Sequence, residues 1–265
     1  LTASDLERRE AAVGAPRPAA PGWLLRAASL AALLATWEIA SRLGGVRALP
    51  GIETVAVALV DEIARGGLLH HLGATLFRVG VAFLLAMLLG TAIGLAMGRW
   101  RSFDLVFDGW VILLLNIPAL VVMILAYVWF GLTELAAIGA VAVNKLPLVA
   151  VTMREGARAL ERDYAELAEI FRIGAWRRLR HVILPQLAPF FMVATRSGLS
   201  LIWKIVLVVE LLGRSDGIGF QLALYFQLFD VARILAYALS FIAVVQLVEW
   251  GILQPLDRRI GAWRR

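Results

Sequence analysis

Six mostly apolar stretches, each long enough to cross a bilayer as a helix, recur along the 265-residue chain. A helix rises 1.5 Å per residue, so about 20 apolar residues cross the roughly 30 Å hydrocarbon core. The pattern predicts spans over 23–43, 74–98, 105–130, 133–153, 187–212 and 231–254. Hydrocarbon offers no partner to a bare N–H or C=O, so such stretches fold as helices that satisfy their own backbone. The expected fold class is an all-α polytopic membrane protein. Only 17% of the residues are charged, against about 25% in an ordinary soluble domain, which argues against a soluble protein with a large core.

The third span is the least regular. Pro118 sits inside "LLLNIPALVV", where a proline removes a hydrogen bond and kinks or breaks the helix. Residues 53–66, after the "LPG" turn, read as a short amphipathic interfacial helix. Residues 1–22 carry Ala, Pro and charge but no signal-peptide run, and read as a flexible cytosolic tail. Residues 23–255 then form one membrane domain, and 256–265 a basic cytosolic tail.

Lys and Arg set the orientation. With the N-terminus in the cytosol, seventeen lie on the cytosolic side and five outside (Arg42, Arg47, Arg65, Arg214 and Arg233). Inner loops carry the excess of positive charge in membrane proteins, so both ends are expected inside. The same split accounts for the net charge of +6 without nucleic acid as a partner. There is no cysteine, hence no disulfide framework and no thiolate metal site. No G-x-x-x-x-G-K-[ST], H-E-x-x-H or G-x-S-x-G motif occurs, so no catalytic or metal-binding residue is expected. His70 and His71 read as an interfacial pair rather than as ligands.

Glu38, Lys145, Lys204 and Glu210 fall inside the spans. Arg78 and Arg196 lie nearer span ends, where they can snorkel. Charge at membrane depth is costly and marks function or a pair. Lys145 in "NKLP" and Lys204 in "LIWKIVLVVE" are mid-span, and two ammonium groups there favour an anion in a translocation path. The candidate path is Asn144, Lys145, Lys204 and Glu210; the alternative is that each lysine neutralises Glu38 or Glu210. Gly90, Gly94 and Gly98 form a double G-x-x-x-G, which reads as close helix packing, within one subunit or at a dimer seam, or as a hinge. Residues 213–230 read as an outer loop that receives a binding protein, plugs an outer gate or simply caps the structure.

The long loop 154–185 is patterned. Tyr164, Leu167, Ala168, Phe171 and Ala175 recur at helical spacing, with Arg172, Arg177, Arg178 and Arg180 around them. Pro185 is expected to stop the register before the next span. Such a helix lies on lipid or docks in a partner's groove, and the residues alone favour lipid.

The stretch resembles the signature loop of binding-protein-dependent ABC importer permeases, Glu-Ala-Ala, three residues, Gly, nine residues, Ile, one residue, Leu-Pro. Glu166, Ala168, Val182 and Leu184-Pro185 match it. Leu167 and Arg172 replace an Ala and the Gly, with Gly174 two residues later. "LPGIETV", "HLGATLFRVGVAF", "GTAIGLAMG", "NIPALVVMILAYVWFG" and "VVELLGRSDGIGF" extend the resemblance over roughly 49–255, nearest the nitrate/sulfonate/taurine type.

The resemblance implies a type I importer transmembrane fold with a cytosolic coupling helix between spans four and five. Glu166, Leu167, Ala168, Phe171, Arg172, Gly174 and Trp176 would couple it to a separate ATPase subunit. It implies two ATPase copies that bind the ATP and Mg, no cofactor in this chain, a second permease copy and an external substrate-binding protein. The expected place is the bacterial inner membrane, and the cargo a small anion. Arg78 and Glu210 match what the family commonly shows and are expected as a structural pair, whereas related permeases tend to be apolar at Lys145 and Lys204. The competing class is a stand-alone secondary transporter or channel. That class predicts an inverted repeat, and no internal repeat is evident. A membrane enzyme would need paired acid-base or metal residues, which the sequence does not offer.

Overall fold

A computed structural model describes residues 22–44, 49–160 and 174–261. Among these, every regular element is a helix. Residues up to 56 and residues from 57 onward form two units, which are taken in turn.

In the first unit, α1 (Gly22–Gly44) shows Trp23, Leu25, Leu30, Leu33 and Ile39 outward, as a helix does whose solvent is hydrocarbon. Glu38 is paired locally. It accepts from Arg42 Nε at 3.0 Å and from the Ile52 N–H at 3.4 Å. The Trp37 indole donates to the Pro50 carbonyl at 3.0 Å, tying the following turn back to the helix. The expected interfacial helix is α2 (Ile52–Ala64), which straddles the unit boundary.

The second unit holds α3 (Leu68–Arg99), α4 (Arg101–Asn116), α5 (Ala119–Phe130) and α6 (Glu134–Arg158). Past the undescribed part of the loop, α7 (Ala175–Arg178) runs through a π turn, Leu179–Ile183, into α8 (Leu184–Gly213). Then come α9 (Ile218–Gln227), α10 (Val231–Val248), a second π turn Glu249–Leu253 and α11 (Gln254–Gly261). Among the described residues, five helical runs are long and apolar enough to span a membrane, or six if a bent pair counts as one.

That pair is α4–α5, the expected third span. The two helices meet at 98°. Pro118 disfavours the helical conformation in the residue before it, and Ile117 is extended at φ −75° and ψ 125°. The pair still crosses rather than returns. Asp104 of α4 meets Arg154 and Arg158 at the far end of α6, whereas Leu132, just past α5, meets Arg214 beyond the opposite end of α8.

Two expectations about Pro185 and the span ends need correcting. Pro185 does not stop the helix. It stands in the first turn of α8, and the wide turn before it absorbs the lost hydrogen bond, with the Leu184 N–H reaching back to the Leu179 carbonyl. The helices also overrun the apolar windows: α3 begins at Leu68 rather than 74, and α6 continues to Arg158 rather than 153. Polar residues beyond the hydrocarbon keep helical hydrogen bonds as readily as apolar ones.

The glycine stripe explains the closest packing. A Cβ on Gly90 would stand 2.9 Å from the Leu146 carbonyl oxygen, one on Gly94 2.3 Å from that of Ala150, and one on Gly98 3.0 Å from that of Arg154. α3 and α6 therefore run in parallel with backbone against backbone over three turns. The stripe serves packing inside one subunit. Lipid is as apolar as leucine, so close approach and polar contacts, rather than escape from water, decide which helix faces meet. Val79, Ala82, Val141, Ile202 and Val206 fill one core, and Met87, Val149, Met153, Leu187 and Ala194 a second, between α3, α6 and α8.

Candidate functional site

Arg78 lies on the inward face of α3 and is only 2% exposed. The guanidinium carries five N–H donors, and each has an acceptor. Nε and Nη2 make a fork onto Glu134 at 2.7 and 3.1 Å. Nη1 reaches Glu210 Oε1 at 2.8 Å and the Asp216 carbonyl at 3.0 Å, and Nη2 also binds the Asp216 carboxylate. Arg78 thus does not snorkel; it is the hub of a buried network that joins α3, α6 and α8 to the turn before α9.

Glu210 is fully buried. Its second oxygen accepts from Thr75 Oγ1 and from the Gly219 N–H, both at 2.9 Å. Gly217 makes this possible. Its φ is 104°, and a Cβ there would stand 2.3 Å from the Glu210 carboxyl carbon. The Gly217 N–H donates to His71 Nδ1 at 3.1 Å, and the Ile218 N–H to Thr75 Oγ1 at 2.9 Å. Arg214 closes the ring onto Glu134 at 2.7 Å. Burial alone would raise the Asp216 carboxyl; hydrogen bonding and charge from Arg78, with Arg214 nearby, outweigh it and hold the group below its usual range. This is the Arg78–Glu210 pair expected from the resemblance, enlarged by Glu134, Asp216 and Thr75, which the sequence reading did not single out, and by His71, which it read as one of an interfacial pair.

At the same end, the buried Glu62 carboxylate accepts from Tyr225 and Tyr237 hydroxyls, each at 2.8 Å, and from Arg233 Nε at 3.0 Å. Burial, then the hydrogen bond to Glu62, pushes Tyr225 up to about 12. This cluster fixes α2 and α9 to the start of α10. Its signal in the sequence, an Asp61-Glu62 pair in an amphipathic helix, gave no partner.

The opposite end carries the loop expected to couple. Glu166, Leu167, Ala168, Phe171 and Arg172 lie outside the described residues. Gly174 and Trp176 are described, and Trp176 shows 70% of its surface. Where the loop leaves α6, Arg154 binds Asp104 at 3.3 Å and Asp108 at 2.5 Å, and Arg158 binds Asp104 at 2.5 Å. These pairs clamp α4 to the end of α6. Arg196 likewise joins α8 to Glu249 and Asp257 at 2.8 and 3.2 Å.

The candidate path residues stand in different environments. Lys145 is 2% exposed, with its Cε against Gly198 of α8 and no hydrogen-bond partner for Nζ among the described residues. Neither carboxylate offered to it is unengaged: Glu210 is saturated by Arg78, Thr75 and Gly219, and Glu38 by Arg42 and Ile52. Asn144 is half-buried and Lys204 exposed.

A bent third span, parallel helices locked by glycines, and buried ion clusters at one end opposite an exposed basic segment describe a polytopic helical membrane protein. Residues 83–260 match the family described as binding-protein-dependent transport system inner membrane component, and the chain belongs to it. The putative aliphatic sulfonates transport permease protein SsuC of Escherichia coli (strain K12) is 33% identical over 91% of this chain and 93% of its own length. Its namesake in Bacillus subtilis (strain 168) is 28% identical over 92% and 88%. A solved structure, "Crystal structure of an amino acid ABC transporter with histidines", shares the fold with a TM-score of 0.56 and 19% identity, covering 77% of this chain and 96% of that one. The chain is a multi-pass permease subunit of an ABC importer, not the catalytic subunit.

Proposed function

We infer that this permease carries a small anion, of the sulfonate kind named for its relatives, across the bacterial inner membrane. It works as one of two copies, with two ATPase subunits that hold ATP and Mg on the cytosolic side and a binding protein outside. Both termini are cytosolic, from the distribution of Lys and Arg. One observation carries the coupling role. The basic segment around Trp176 projects at the end where Arg154 and Arg158 clamp α4 to α6, so a pull on the loop is passed to two helices at once. Leu167, Phe171 and Trp176 are the apolar anchors in the ATPase groove, where aromatic residues dominate binding. The arginines set register against an acidic rim more than they add affinity. ATP closure then moves the loop, and the loop tilts the spans between outward- and inward-open states.

The test is co-purification. The ATPase subunit, untagged, should be retained with a tagged permease after mild detergent extraction, and Trp176→Asp should reduce that retention. Full retention by Trp176→Asp and by Phe171→Asp would place the anchor elsewhere.

A further inference from the structure

Lys204 presents a physical problem. It stands on α8 eight residues past Arg196 and six before Glu210, about 12 Å and 9 Å along the helix from the two charged layers. It is exposed on this chain, and no partner for it exists among the described residues. Side chains of a helix lean toward its N-terminus, so the Lys204 stem leans toward the Arg196 end, away from the nearer polar layer at Glu210. Ser200, one turn earlier, is exposed, and Ser197 is half-buried. The three fall on one face at i, i+3 and i+7. Whereas α8 sets the polar trio between the exposed Val193 and Val208, α3 and α10 turn only apolar residues outward at mid-length, Phe77, Leu84 and Leu88 on α3 and Ile242 and Leu247 on α10. Those faces suit lipid. A serine-lined face carrying an ammonium does not, because charge at that depth survives only against protein or water.

We propose that the Ser197–Ser200–Lys204 face of α8 lines a water-filled route completed by a second copy of this chain, and that Lys204 gives the route its preference for small anions. The inference rests on the importer reading and narrows it. Of the two mid-span lysines, Lys204 meets the cargo. Lys145, packed on Gly198 within one subunit, does not. Two copies bring two Lys204 ammonium groups to one passage, and a passage lined by one sign of charge enriches the opposite ion. The Ser200 hydroxyl supplies a short neutral donor to an oxyanion, whereas the Ser197 hydroxyl donates back to the Val193 carbonyl at 2.8 Å and adds only polarity to the face.

The chain has no cysteine, so single cysteines report without background. Ser200→Cys, and separately Ser197→Cys, is expressed with the ATPase in opened membrane vesicles. Each is treated with a negatively charged methanethiosulfonate (the ethylsulfonate) and a positively charged one (the ethylammonium), nucleotide-free and trapped with ATP, Mg and vanadate. Both cysteines should react in at least one state. The anionic reagent should gain roughly tenfold or more over its rate with a free thiol, relative to the cationic one. Lys204→Gln should remove that gain. Failure of both charged reagents in both states, with a membrane-permeant maleimide still reacting, would show a lipid-facing or dry surface and overturn the proposal. A preference unchanged by Lys204→Gln would overturn the role of Lys204. Retention of the ATPase by the same vesicle proteins reports the importer reading separately.

Discussion

Arg78 and Glu210, 132 residues apart in the chain, meet at 2.8 Å where neither has access to solvent. Removing one partner leaves a buried charge uncompensated, which costs about 3–5 kcal/mol. Arg78→Met should therefore lower the thermal stability of the detergent-extracted protein sharply. Glu210→Gln in the Arg78→Met background should recover part of the loss. A double variant no better than Arg78→Met would mean that Glu134 and Asp216, not Glu210, hold the network together.

The glycine stripe gives a paired test. Gly94→Ala places a methyl 2.3 Å from the Ala150 carbonyl oxygen, and backbone cannot move aside. The cost of such overpacking is about 1–3 kcal/mol. Gly80 is on the same helix but a Cβ there meets nothing within 4 Å, so Gly80→Ala should be neutral or stabilise slightly, by up to about 1 kcal/mol. Thermal unfolding of the two variants side by side checks this; equal effects would contradict the parallel packing of α3 on α6.

Lys145 has no carboxylate partner among the described residues, so Lys145→Met creates no orphaned acid. It removes an unsatisfied polar group from the interior instead. Stability should hold or rise in the same thermal assay. A clear loss would show that Lys145 neutralises an acidic group in the assembled complex.

The turn before α9 should respond to acid. The Asp216 carboxyl has a lowered value in the fold, so its contribution is complete above the unfolded value of about 3.8 and is lost as pH falls through the lower folded one. Amide exchange at Gly217 and Ile218, taken relative to the intrinsic rate at each pH, should stay slow from pH 7 to 5 and quicken only in stronger acid. Asp216→Asn should quicken it throughout and flatten the pH dependence. An acid-induced change already between pH 7 and 5 would contradict the assignment to Asp216.

The apolar windows located every span, because length and hydropathy suffice for that. Pro118 located the break in the third span, because its ring disfavours the helical conformation one residue earlier. The effect of Pro185 was not legible, since a π turn accommodates a proline without any signal in composition. The sequence marked Arg78 and Glu210 as charged, but not Glu134, Asp216 and Thr75 as their partners. Those contacts join helices far apart in the chain, and only packing brings them together. Lys145 and Lys204 look alike as lysines in apolar runs, and only helix phase separates the buried one from the exposed one.

Coupling through the 154–185 loop is the central claim, and retention of the ATPase measures it most directly. Phe171→Asp and Trp176→Asp each place a carboxylate where an aromatic anchor is expected in an apolar groove. Losing an aromatic anchor costs about 2 kcal/mol or more, and burying the acid costs several more. Both variants should reach the membrane at the normal level, and Trp176→Asp should leave thermal stability unchanged, because Trp176 is exposed and belongs to neither packed core. The account predicts that the ATPase subunit, retained stoichiometrically by the unaltered permease, is largely lost from both. Stoichiometric retention by both variants would contradict it.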